Sequence, residues 1–175
     1  MTNNVVAKFE GRFLELNKED FKLNDVIINA INDLTLSKDF LRKERLTLSY
    51  NPDRDFLVNA DKGRISQVIS NLLNNAIEFT VEGIILVSVE KNKINNDNKI
   101  IIVSVKDSGQ GIDQSILPRL FTKSVSKSYK GTGLGLFISK GIVEAHGGKI
   151  WAENNKDGKG SSFYFSLSLR APILS

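Results

Sequence analysis

Apolar residues recur along this chain with two distinct periods. Leu23, Val26, Ile27, Ala30, Ile31 and Leu34 fall three and four residues apart, which predicts an amphipathic helix beginning near Asp20 or Asn24. Ile65, Val68, Ile69, Leu72, Leu73 and Ala76 predict a second helix, with Asp61 placed to cap it. Leu134, Phe137, Ile138, Ile142 and Ala145 predict a third, stopped by Gly147-Gly148. Elsewhere the period is two. LTLSY (46–50) and FLVNA (56–60) read as short strands on either side of the turn NPDRD, and GIILVSVEK and KIIIVSVKD form a hairpin around NKINNDN. KIWAEN and SSFYFSLSL form another around DGKG. There is no internal repeat. This order predicts an α+β sandwich, a mixed and mostly antiparallel sheet covered on one face by three helices.

Composition narrows the setting. With 175 residues, 41% of them hydrophobic, the chain can fill one core but not two, so one domain is expected. There is no cysteine, hence no disulfide framework, and a reducing cytoplasm is the natural location. No apolar stretch reaches bilayer length, and Met1-Thr2-Asn3-Asn4 does not begin a signal peptide. Neither nucleic acid nor membrane is expected as a partner of this domain. The net charge of +4 is mild, but its placement matters: Arg119, Lys123, Lys127 and Lys130 face one acid, Asp113, between Ile112 and Gly131. Such a loop suits a polyphosphate, or is simply a solvated lysine face.

Three local patterns carry chemistry. In Gly131-Thr132-Gly133-Leu134-Gly135 glycine crowds a helix start, where bare N–H groups can meet an anion. The Walker spacing is absent, because Gly148-Lys149 is followed by Ile150, and the dinucleotide fingerprint fails because the spacing is Gly-x-Gly-x-Gly after a polar segment. Alone, the run is a nucleotide loop or a hinge. In NLLNNAIEFT, Asn71, Asn75 and Glu78 share one helix face, and an amide carbonyl is a hard oxygen ligand able to join phosphate oxygens and water around Mg²⁺. The alternative is a hydrated polar face. In VKDSGQGID, Asp107 leaves an apolar strand just before Gly109 and Gly111. A carboxylate accepts without donating, which suits an exocyclic amino group such as adenine N6, although Asp-x-Gly is also ordinary turn chemistry.

Taken in order, these segments resemble the ATP-binding catalytic domain of sensor histidine kinases, of the GHKL superfamily. Asp61 with QVISNLLNNAIEFT resembles the N box, VKDSGQGI the first glycine box, LPRLF the F box, GTGLGL the second glycine box and GKGSSFYFSL the third. The resemblance covers roughly residues 20 to 170. It implies a Bergerat-type fold, with ATP between the N-box helix and a mobile lid at about 112 to 131. It implies that Asn71 and Asn75 are catalytic and hold Mg²⁺ and phosphate, with Asn75 the metal ligand and Asn71 a second, and that Asp107 binds the adenine amino group. Gly109, Gly111, Ile112 and Phe121 would shape the base pocket, and Gly131, Thr132, Gly133, Leu134, Gly135 and Leu136 would serve phosphates and lid. Ser161 stands where the family often has a threonine near adenine.

The resemblance also separates branches of the superfamily. Gyrase B and MutL are similar but place a glutamate one helical turn before the metal-binding asparagine, to activate water; here that position is Asn71. Phosphate transfer is therefore expected, to a histidine on a separate dimerisation domain, with a response-regulator receiver downstream. The one histidine, His146, sits beside a glycine stop and is expected to be structural. GRFLELNKEDF resembles the linker that follows dimerisation helices, so residues 1–19 are expected to be a remnant of it and 20–175 the catalytic domain, of a full protein that membrane segments would anchor elsewhere. Two positions depart from the family. Glu78 replaces a phosphate-facing lysine, and the lid's usual basic residue falls near Ser126, leaving Lys123, Lys127 or Lys130 to substitute. Alternatives from other classes are a silent nucleotide-loaded regulatory module and an anti-sigma-type protein serine kinase.

Overall fold

The computed structural model describes residues 3–9, 12–93, 99–123 and 133–169. Its main sheet has five strands in the order β3-β5-β6-β8-β7: β3 (Leu46–Tyr50), β5 (Gly83–Lys93), β6 (Lys99–Asp107), β8 (Ser161–Ser168) and β7 (Ile150–Asn154). Only β3 and β5 run parallel; every other neighbouring pair is antiparallel. The alternation along these strands divides the sheet into two faces. Ile85, Val87, Ile101, Val103, Val105, Phe163, Phe165 and Leu167 are all buried, and they lie under the helices. On the opposite face Leu86, Trp151 and Tyr164 reach toward solvent, with the last two rings stacked 5.2 Å apart.

Three helices cover the buried face: α1 (Leu23–Thr35), α3 (Lys62–Phe79) and α4 (Gly135–Ala145). The short α2 (Lys38–Leu41) follows α1, capped by the Ser37 hydroxyl accepting from the Phe40 N–H at 3.2 Å. The central helix is α3, packed between α1 and α4, and its apolar stripe of Ile65, Val68, Ile69, Leu72 and Leu73 has no exposure at all. Asp61 caps it as its sequence position predicts, Oδ1 accepting from the Arg64 N–H at 3.0 Å. Among the described residues no helix is long and apolar enough to cross a membrane.

The N-terminal segment, expected to be a linker remnant, is paired into strands. Strands β1 (Asn3–Phe9) and β2 (Arg12–Lys22) form a hairpin, and β2 pairs with β4 (Leu57–Ala60), making a second sheet in the order β1-β2-β4. The strands flanking NPDRD thus enter different sheets. The first helix starts at Leu23 because residues 19–22 are held in register against β4.

Candidate functional site

Two helices and two loops meet at one end of the sandwich. Helices α3 and α4 run antiparallel and are joined at both ends of α4. At one end the Asn71 amide nitrogen donates to the Gly135 carbonyl and to Ser139 Oγ, both at 3.1 Å, and Ser139 is fully buried. At the other the Asp61 N–H donates to His146 Nε2 at 3.0 Å, and His146 Nδ1 lies 2.7 Å from the Ile142 carbonyl. A backbone N–H only donates and a carbonyl only accepts, which assigns the proton to Nδ1. Burial holds the His146 pKa below its ordinary value, opposed by the Ile142 carbonyl; Lys18 adds to the lowering and Asp61 works against it. His146 is a buried neutral link between helix ends, with both ring nitrogens committed.

The first glycine box is held from all sides. Asp107, 2% exposed, receives the Gly109 N–H on Oδ1 at 2.8 Å and the Ser161 hydroxyl on Oδ2 at 2.7 Å, with the Ser161 N–H on Oδ1 at 3.3 Å. Its carbonyl accepts from Asn155 Nδ2 at 2.7 Å. Gly160 fits against this backbone with φ +73, and a Cβ there would stand 2.0 Å from the Asp107 carbonyl oxygen. A Cβ on Gly109 would stand 2.4 Å from the Phe79 carbonyl. The loop is therefore pressed onto the C-terminal end of α3.

That helix end carries no basic residue of its own; Lys43, from the loop before β3, supplies one, its Nζ donating to the Ile77 carbonyl and to the Thr80 carbonyl at 2.7 Å. A cation on the last carbonyls satisfies orphan acceptors and the helix dipole together. Thr80 itself is buried, and its hydroxyl has no hydrogen-bond partner among the described residues, although Gly109 packs directly against it. A buried hydroxyl left without a partner costs about 1–3 kcal/mol.

Of the residues singled out by sequence, Asn71 and Gly135 are in contact, as are Asp107, Gly109 and Ser161. Gly111 precedes Ile112, whose side chain packs on the core, and Phe121 meets Phe163 edge-on at 6.4 Å. Leu134 is the residue before α4, Leu136 lies in its first turn against the core, and Gly133 has φ +69. Asn75 is half-buried on α3, four residues before Phe79 and so about 6 Å along the axis from the first glycine box. Glu78 and Lys123 are exposed. Lys127, Lys130, Gly131 and Thr132 lie outside the described residues. Sequence reasoning missed Lys43, Thr80, Asn154, Asn155 and Gly160. Thr80 and Gly160 lie inside the segments NLLNNAIEFT and GKGSSFYFSL without being singled out there, and Lys43, Asn154 and Asn155 carried no local signal.

The fold is thus an α+β sandwich in which a buried carboxylate, tethered by Gly109 and Ser161, lies among closely packed glycines at a strand end. The family model described as "Histidine kinase-, DNA gyrase B-, and HSP90-like ATPase" matches residues 60–171, and the chain belongs to that family. Among curated relatives, the sensor histidine kinase WalK of Bacillus subtilis (strain 168) is 31% identical over 173 residues, covering 93% of this chain and 26% of WalK. The catalytic domain of histidine kinase ThkA superposes with a TM-score of 0.72 at 34% identity, covering 87% of this chain and 97% of that one. Full-length ShkA, solved in complex with AMPPNP, gives 0.70 at 26% identity, covering 90% of this chain and 32% of ShkA. The chain spans about a quarter or less of the length of the first curated relatives it matches.

Proposed function

We propose that this chain is the Mg-ATP-binding catalytic domain of a two-component sensor histidine kinase, passing the ATP γ-phosphate to a histidine on a separate dimerisation domain. The observation that carries the reading is the Asp107 site. Its carboxylate is fixed by Ser161 and Gly109 at the end of β6, where an acceptor of this kind suits the adenine amino group. The ShkA complex with an ATP analogue and the match to the ThkA catalytic domain support it.

The residues at the other end of the site fit a magnesium ion. Asn75 offers a hard, half-buried amide oxygen, and the amide has no hydrogen-bond partner among the described residues. No group of three His, Asp or Glu gathers among them, so phosphate oxygens and water would complete the shell. Magnesium would supply charge neutralisation between the phosphates. Asn71, by contrast, uses its amide nitrogen to hold α4, so its part is to place Gly135 and the helix start beside the phosphates. Having an amide at 71, the site lacks at that position the carboxylate that would activate water, which favours transfer over hydrolysis. Lys123, Lys127 and Lys130, with Gly131 and Thr132, would face the triphosphate. Residues 1–19 would lead in from the dimerisation domain, a receiver domain would take the phosphate onward, and the domain would work in the cytoplasm.

Incubation with γ-labelled ATP and Mg²⁺ should leave the isolated chain unlabelled, because both nitrogens of His146 are engaged inside the fold. A dimerisation domain from a related kinase, supplied in trans, should gain acid-labile phosphate. Label on His146, or free phosphate released at an ATPase rate with none transferred, would count against the proposal.

A further inference from the structure

We propose that Asn154 is a positioning residue for the nucleoside pocket, acting through the backbone of Ile112; this rests on the nucleotide reading above. Asn154 is the last residue of β7, the edge strand. Its Oδ1 accepts from the Ile112 N–H at 2.7 Å and its Nδ2 donates to the Ile112 carbonyl at 2.8 Å. One side-chain amide thus pairs both backbone groups of a residue 42 positions away, as a neighbouring strand would. Gly111, just before it, has φ +77, and a Cβ there would stand 3.0 Å from Asn154 Oδ1, so the amide also fills the space beside the turn.

The register gives this contact its consequence. The last rung of β7 and β8 pairs Asn154 with Ser161. Ser161 fixes the Asp107 carboxylate, Asn154 fixes the Gly111–Ile112 wall, and Asn155 holds the Asp107 carbonyl. A single pair of residues therefore sets the spacing between the group that reads the base and the wall opposite it. Only a side chain with one acceptor and one donor on one short planar group does this. Aspartate would set an oxygen against the Ile112 carbonyl, and leucine would keep the volume while satisfying neither group. Asn154 is exposed, so its bonds compete with water and global stability should change little, while the wall they hold should move.

The test measures affinity for fluorescent ATP and GTP analogues, with Mg²⁺, in the 175-residue chain and in Asn154→Asp, Asn154→Leu and Asn154→Ser, alongside thermal melts. Glu153→Gln, which touches Tyr164 on the outer face, serves as the control. The proposal expects the aspartate and leucine variants to bind ATP about tenfold more weakly, mainly through faster dissociation, and to lose much of the preference for ATP over GTP. Serine should fall between them and the wild type. Variants that keep both affinity and preference overturn the inference. So do variants that lose ATP and GTP binding in equal proportion with a lowered melting temperature, since that is a merely structural role. A variant that fails to fold leaves the serine comparison to decide. A wild-type chain that binds neither nucleotide sinks the nucleotide reading itself, a separate outcome.

Discussion

The two ends of the proposed site, one assigned to the base and the other to the phosphates, are built differently. Around Asp107, Ser161, Gly160, Asn154 and Asn155 almost every polar group has a protein partner within 2.6 to 3.3 Å, across three strands and two loops. At the end proposed to take the phosphates, Asn75 on α3 is half-buried with no hydrogen-bond partner among the described residues, Glu78 on the same helix is exposed, and so is Lys123 in the loop after residue 121. A preorganised end contributes selectivity before the ligand arrives; an end whose groups face solvent is completed by ligand, metal and water. Under the proposed reading, recognition of the base would belong to the fold and holding the phosphates would be a property of the complex.

The change expected to break the contrast most severely is Gly160→Ala. A methyl there meets the Asp107 backbone at 2.0 Å in a φ that side chains rarely adopt, so it should destabilise the domain by about 3 kcal/mol or more. Urea unfolding measures this directly, and near-normal stability would mean that the base end tolerates rearrangement.

At the phosphate end, Asn75→Ala should leave stability nearly unchanged. It should weaken ATP binding by about 2 kcal/mol, and only when Mg²⁺ is present. Equal weakening with and without the metal would remove Asn75 from the metal shell. Glu78→Lys acts at the same end in the opposite direction. It removes a like charge and adds a donor, so ATP should bind about tenfold tighter, ~1.4 kcal/mol, and more so at low salt. Flat or weaker binding would mean that Glu78 anchors a lid lysine instead.

The elements that sequence resolved are those whose signal is local. Helix α3 combines a full apolar stripe with an aspartate cap, and both hairpins alternate cleanly around polar turns. The candidate site was legible where spacing alone fixed a face or a strand end, as for Asn71, Asn75 and Asp107. The β1–β2 hairpin was not legible, because the polar run Asn17-Lys18-Glu19-Asp20 breaks the alternation and the partner strand β4 lies some forty residues on. Lys43 and Asn154 were invisible for a related reason. Each acts by side-chain bonds to backbone groups distant in sequence, which no periodicity records.

The smallest expected effect concerns His146, which ties the start of α3 to the end of α4, away from both ends of the proposed site. Its pKa in the folded state lies below the unfolded value of about 6.5, so the unfolded chain binds the extra proton first. Its contribution is complete above that value and declines as pH falls below it toward the folded pKa. Urea midpoints of the wild type and His146→Leu, followed from pH 7.5 down to 5.5, should converge on acidification. Parallel curves would mean that His146 titrates alike in both states.

The central claim is that a carboxylate fixed by the fold reads adenine, and calorimetric titration with a non-hydrolysable ATP analogue and Mg²⁺ tests it most directly when wild type and Asp107→Asn are compared. The asparagine keeps the shape, and its oxygen can still accept from the Gly109 and Ser161 N–H groups, so the domain should remain folded. Its new donor would face the adenine amino group, which should weaken binding by about 2 to 3 kcal/mol, roughly thirtyfold or more. A folded Asp107→Asn variant that binds the analogue as tightly as the wild type would reduce Asp107 to a turn residue and contradict the account.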